Sequence, residues 1–186
     1  MDVAKHPFIA ACSGGFQVPG LLSELQPTCG QTGGDDGPNP TGIGCSAWDL
    51  CAFGWHVCKS AAEVQQVSPE GCGDAAPGGD SLFFVTRQSG PGCGLCAMGS
   101  DSLPGCNSCN CVADCLQTDG TANDVFGCGS MGSEPSDCGV LDRFSNDSCV
   151  DLQPPWQCND SCNEAHKVTK PGSAGGGVLC CADMLD

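Results

Sequence analysis

Apolar residues in this chain come in short runs separated by long polar, glycine-rich stretches. Leu82-Phe83-Phe84-Val85-Thr86 is the most strand-like run, β-branched and aromatic, with Arg87 closing it. Val125-Phe126, Val140-Leu141 and Val178-Leu179 are apolar pairs beside cysteines and predict short strands. The segment from Cys45 to Cys58 packs three cysteines, Trp48, Phe53 and Trp55 into 14 residues. It reads as a turn followed by a short strand ending at Cys58.

Helix signals are few. Ser60-Ala61-Ala62-Glu63 is a capping box, so a helix is expected from there to Gln66 or Val67, stopping before Pro69. Val18 to Leu25, with Leu21, Leu22 and Leu25 on one face, predicts a second short helix. Glu164 to Val168 reads as one helical turn or a strand edge. Residues 30–42 hold turn formers without periodicity and read as a linker or long surface loop. The expected division is therefore 1–44, an N-terminal extension and linker, and 45–186, a cysteine-rich domain.

Composition changes this picture in one respect. Val, Ile, Leu and Phe supply only 33 of 186 residues, and the net charge is -16. Such chains usually bury too little apolar area to offset the entropy of ordering. The 28 glycines and 13 prolines add no core, but 19 cysteines reach the frequency of a disulfide scaffold. The expected fold is small, disulfide-rich α+β: short strands, one or two short helices and long loops pinned by about nine disulfides. That chemistry belongs to an oxidising compartment, so the chain is expected to be secreted or on a cell surface. The start of the sequence lacks the apolar stretch of a signal peptide, which suits a mature or excised domain with a new Met1. The acceptors Asn146-Asp147-Ser148 and Asn159-Asp160-Ser161 suit secretion in a eukaryote.

The odd cysteine count leaves at least one thiol unpaired within the chain. Cys12, far from the dense clusters, is the candidate for a free thiol or an intermolecular disulfide. The vicinal Cys180-Cys181 pair is expected to reach two different strands and lock the C-terminus into the core.

Twenty-two acids against six Lys and Arg, with no two cations adjacent, argue against nucleic acid. No apolar run is long enough to span a bilayer. The pairs Cys93/Cys96 and Cys106/Cys109 have zinc-like spacing, but thirteen further cysteines lie outside the surrounding cluster, so disulfides are the expected reading and zinc the alternative. Asp119, Asn123, Asp124, Asn146 and Asp147 lie in acidic loops of the kind calcium takes, and are equally good turn formers. No catalytic motif is present, and no catalytic residue is assigned. His56, between Trp55 and Val57, is expected to be packed and structural. Trp48, Trp55 and Trp156 are candidates for an aromatic platform for a sugar or a partner surface, with packing on disulfides the expected reading; Trp156, after Pro154-Pro155, is the one expected to be exposed and is the candidate ligand-binding aromatic. Arg87 and Arg143 are expected near the core, paired with carboxylates.

The order of motifs from Cys51 onward resembles a family of uncharacterised cysteine-rich secreted or surface proteins, chiefly of soil and predatory bacteria. The residues that carry it are 51–58 (CAFGWHVC), 86–90 (TRQSG), 123–129 (NDVFGCG), 141–149 (LDRFSNDSC) and 175–181 (GGGVLCC). The resemblance spans about residues 45–182, with the cysteine cluster at 93–115 as a local elaboration; it implies secretion and no activity. Asn146-Asp147-Ser148-Cys149 is also loosely similar to the calcium- and sugar-holding pair of lectin-like domains, although the tryptophan preceding that pair in C-type lectins is missing here.

The leading expectation is a non-enzymatic extracellular binding or adhesion module, for glycans and with calcium assistance, whose partners are an extracellular protein, a glycan or copies of itself. A structural subunit of an extracellular filament or matrix is the second reading. The third is a secreted hydrolase whose site is unrecognised.

Overall fold

The structure, a computed structural model, describes residues 6–21, 26–68, 82–90, 124–131, 134–140, 154–158 and 164–183. The Cys93–Cys115 cluster, Arg143, Asn159 and the calcium candidates Asp119, Asn123, Asn146 and Asp147 lie outside these residues. Asp124 is described in its backbone alone.

The chain forms β1 (Ile9–Ser13), a 3-10 turn (Ala47–Leu50), β2 (Trp55–Val57), α1 (Ala61–Val67), β3 (Leu82–Gly90), β4 (Asp124–Met131), β5 (Glu134–Val140), α2 (Glu164–Lys167) and β6 (Gly176–Ala182). The strands make one mixed sheet in the order β1-β6-β3-β4-β5, with β2 also on β6. Only β3 and β6 run parallel; the other pairings are antiparallel. β1 covers residues 177–181 of β6, and β2 covers 180–182. A strand has two edges, so β2 takes the edge opposite β1. β3, paired at 176–178, shares that edge with β2 end to end. The Arg87 amide bonds the Cys58 carbonyl where the two strands meet.

β6 is buried on both faces, which explains a nearly unbroken apolar run in place of the alternation of a half-buried strand. Val178 and Cys180 join Phe83 and Val85 in a cluster with Phe16, Leu50, Trp156, Ala165 and Val168. Leu179 and Cys181 join Phe84 in a second cluster with Ile9, Cys58, Cys128 and Val64 of α1. Alternate residues thus face two small cores, one covered by the 3-10 turn and α2, the other by α1.

Disulfides exploit the same alternation. Cys180 bonds Cys51 after the 3-10 turn, and Cys181 bonds Cys58 after β2. The vicinal pair therefore reaches two different segments, as its position predicts, and clamps β6 from both faces. Cys29 bonds Cys45, and Cys128 and Cys158 are also disulfide-bonded. Gly176 shows why small residues precede the pair: at φ +91° a Cβ would lie 2.1 Å from the Phe83 carbonyl oxygen.

Helix α1 follows its sequence signal. Ser60 accepts from the Glu63 amide at 3.2 Å, and the helix ends at Ser68, before Pro69. The other half of the capping box differs, because the Glu63 carboxylate accepts from the Lys59 amide rather than from Ser60. The helix expected over Val18 to Leu25 does not begin as one. Gly20 and Leu21 instead donate to the carbonyls of Val168 and Ala165, with Gly20 at φ +95°; residues 22–25 lie outside the description.

Residues 1–44 were expected as an extension and linker, but their described part is integral to the sheet. β1 is a strand of it, Phe16 is fully buried, and the 26–45 loop packs back through Gly33 N to Asp49 O and Asp35 N to Ser13 O. The loop's glycines and prolines hid this, because its partners are distant backbone groups rather than an apolar period. Asp49 organises the loop. Its buried carboxylate accepts from the amides of Thr28 (2.8 Å), Cys29 (3.0 Å), Gln31 (2.8 Å) and Ser46 (2.8 Å). Burial alone raises its carboxyl, but the amides of Thr28, Gln31, Ser46 and Cys29 outweigh it and hold the group below the usual carboxylate value.

Lys170 is fully buried beneath this loop, its Nζ donating to the carbonyls of Gly14 at 2.8 Å and Gly172 at 2.7 Å and lying 5.8 Å from the Trp156 ring. Burial lowers its pKa to about 8, against the opposing pull of Asp35. A neutral amine still has two hydrogens for the two carbonyls, so deprotonation relieves desolvation without breaking the contacts. The unfolded chain holds this proton up to about 10.5, so stability should rise as pH climbs from 8 towards 10.5, by up to about 3 kcal/mol. Cys12 acts in reverse. Burial, then Asp35, raises its thiol from 9.0 to about 11, so its contribution is lost as pH rises through that window. Urea midpoints at pH 7.5, 9 and 10 should therefore flatten above pH 9 in the native sequence and keep rising in Cys12→Ala. Lys170→Met should remove the rise.

Candidate functional site

Where β2 and β3 meet on the edge of β6, the surface opens into a cleft of about 480 Å³. The 3-10 turn contributes Trp48, β2 contributes Trp55 and His56, α1 contributes Glu63, and β3 contributes Arg87. Lys59, Ala182 at the end of β6 and Asp183 just beyond it complete the lining. The framework is stiff, because Cys51–Cys180 and Cys58–Cys181 tie the flanks of β2 to β6 beside the cleft.

His56 bridges two carboxylates. Its Nδ1 lies 2.6 Å from Asp183 Oδ1 and its Nε2 lies 3.0 Å from Glu63 Oε1. A neutral imidazole donates from one nitrogen only, so the doubly protonated ring is the form that donates to both. The capped first turn of α1 places Glu63, and β2–β6 pairing brings the C-terminal side of β6 to His56. His56 was expected to be packed; it is half-buried and lines the cleft.

Arg87 departs from expectation in its partner. Among the described residues no carboxylate pairs with it, although the chain holds 22 acids. Its guanidinium instead lies 5.0 Å from the centroid of Trp48. Arg87 Nε and Trp48 Nε1 are both buried without a hydrogen-bond partner. The local acids explain the difference: Glu63 and Asp183 are taken by His56, which leaves an aromatic face as the available partner.

Among the described residues, two sets of side chains have metal-ligand chemistry, Cys29, Cys45 and Asp49, and Cys58, Glu63 and Cys181. In both, the cysteines are bonded to each other. Their sulfurs are not thiolates while the bridges stand, and Asp49 is engaged by amides, so neither set fits zinc in the oxidised chain.

Trp156 is corrected. It is only 1% exposed, its Nε1 donates to the Gly175 carbonyl at 3.0 Å, and its ring meets Phe16 and Phe83 edge-on. A core poor in aliphatics uses this indole as its largest filler, so it offers a ligand no face. Trp48 and Trp55, read as platform aromatics or as packed on disulfides, are partly buried against that core and line the cleft as well. Cys12 is the free cysteine among the described residues, half-buried in β1 opposite Val178. Its raised pKa keeps it a thiol at neutral pH, which slows disulfide exchange.

Sequence reasoning missed the Trp48–Arg87 and His56–Asp183 pairings. Only Glu63 carried a signal, through its capping box. Comparison with protein-family models, with curated proteins and with solved structures gives no match.

Proposed function

We propose that this chain is an extracellular, non-enzymatic binding module and that the cleft beside β2 receives a glycan. The observation that carries the proposal is the lining: two partly exposed indoles next to Arg87, Lys59 and the His56 bridge, on a disulfide-clamped frame. Indole faces stack on the C–H surfaces of sugar rings, and charged side chains take the hydroxyls. A stiff frame lowers the ordering cost of binding. Both ring nitrogens of His56 are already engaged, which favours a positioning role over proton transfer. The disulfides support an oxidising location. No helix among the described residues is long and apolar enough to cross a membrane. The resemblance of residues 45–182 to cysteine-rich surface proteins bears on the extracellular location alone.

A glycan array followed by titration of the hits tests it. Trp55→Ala should weaken binding about tenfold or more, and Trp55→Phe, which keeps an aromatic face, should lose less. Binding that ignores both variants would remove the cleft from the reading, and an array without hits would remove the glycan. An EDTA arm tests the calcium assistance proposed for Asn146 and Asp147: a loss of affinity restored by calcium supports it, and unchanged affinity rejects it.

A further inference from the structure

Resting on that reading, we infer that the ligand is an acidic saccharide, whose carboxylate is taken by Arg87. Only six Lys and Arg occur in the chain, and two of them, Arg87 and Lys59, line this one cleft. In a protein of net charge -16 the expected fate of a half-buried arginine is an internal carboxylate, and the two described carboxylates that share its cleft are engaged by His56. The guanidinium is planar, and its carbon lies 5.0 Å from the centroid of the Trp48 ring. Its N–H donors lie in that plane, where a planar carboxylate meets them with two parallel hydrogen bonds. Arg87 Nε and Trp48 Nε1 are buried donors without acceptors. Two cationic side chains, Arg87 and Lys59, on the same lining as Trp55 fit a sugar ring bearing a carboxyl group. A neutral sugar offers hydroxyls that can accept these bonds but carries no charge to match Arg87.

The test compares one sugar with and without its charge. Isothermal titration would use a short oligogalacturonide and its fully methyl-esterified counterpart, against the intact oxidised chain. The acidic oligomer should bind at least tenfold more tightly than the ester. Arg87→Gln should bring the acid down to about the affinity of the ester, with a much smaller loss for the ester. Arg87→Lys, which keeps the charge but not the fork, should recover only part of the difference. The comparison of two ligands on one protein does not depend on how well a variant folds, and Trp48→Phe checks the plane that holds the guanidinium: it should reduce the preference for acid. Equal binding of acid and ester by the native chain, with Trp55→Ala weakening both, would overturn the acidic ligand and leave the glycan cleft standing. An equal loss for both sugars in Arg87→Gln would also overturn it. Binding of neither oligomer would overturn the inference, while hits elsewhere on the array that depend on Trp55 would still support the glycan reading.

Discussion

Removing both bridges that end at Cys180 and Cys181 is expected to unfold the domain, whereas removing either one should cost much less than half of that. The reason is that the two bridges close almost the same loop. Cys51–Cys180 spans 129 residues and Cys58–Cys181 spans 123. With one in place, the other closes a further ring of only about eight residues, for which chain entropy gives about 2.5 kcal/mol. With neither, a loop of well over a hundred residues is released as well, adding about 5 kcal/mol. The total of about 7 kcal/mol matches or exceeds the stability of many single domains. Urea unfolding of Cys51→Ala/Cys180→Ala, of Cys58→Ala/Cys181→Ala and of the fourfold variant measures this directly. The fourfold loss should exceed the sum of the pairs by about 2–3 kcal/mol. Simple additivity would mean that the unfolded chain is held together elsewhere across the same span.

Asp49→Ala should be the most damaging substitution of a single residue outside the cysteines, at about 3 kcal/mol at pH 7. Four backbone amides converge on this carboxylate, from the 28–31 loop and from the start of the 3-10 turn. Leaving a buried donor unsatisfied costs about 1–3 kcal/mol each. Thr28 is exposed and water can reach it, but Ser46 is fully buried and has no such relief. Asp49→Asn should rescue little, because its amide group turns donors towards donors. The pH dependence distinguishes this account from a simple packing loss. The Asp49 pKa is lowered on folding, so its contribution is full above the unfolded value near 3.9 and is lost as pH falls through the folded value. The gap between the native chain and Asp49→Asn should therefore narrow below about pH 4 and stay constant above about pH 5. A gap that persists unchanged at low pH would assign the loss to shape instead of charge.

Parts of this architecture were legible in the residues because they depend on near neighbours. Ser60 and Glu63 mark the start of α1, and Pro69 marks its stop. The strand signal at Leu82 to Thr86 found β3 but ended it early, because Arg87, Gln88, Ser89 and Gly90 carry no strand propensity and are held by pairing with β4 and by the Arg87 bond to Cys58. Val125-Phe126 and Val178-Leu179 each lie in a strand and Val140 ends β5, with Leu141 outside the described residues. Other features were illegible for the same physical reason in reverse. Residues 26–45 have the composition of a linker, yet Asp49 and Cys45 bind them to the body. Trp156 follows two prolines, as an exposed residue might, yet it fills the space between Phe16 and Phe83.

What the sequence by itself determined is that a chain this poor in Val, Ile, Leu and Phe depends on cysteine for its stability, and that adjacent cysteines at 180 and 181 must diverge. Those conclusions follow from composition and from the alternation of side chains along a strand. Which cysteines they meet, and what stands beside them, was decided by which edge of β6 each strand occupies. That choice carries Asp183 to His56 across 127 positions of chain. It also sets Arg87 over Trp48 while the carboxylates nearby are engaged by His56. Pairings over such distances leave no local pattern, because the free energy that selects them comes from the packing of the whole sheet.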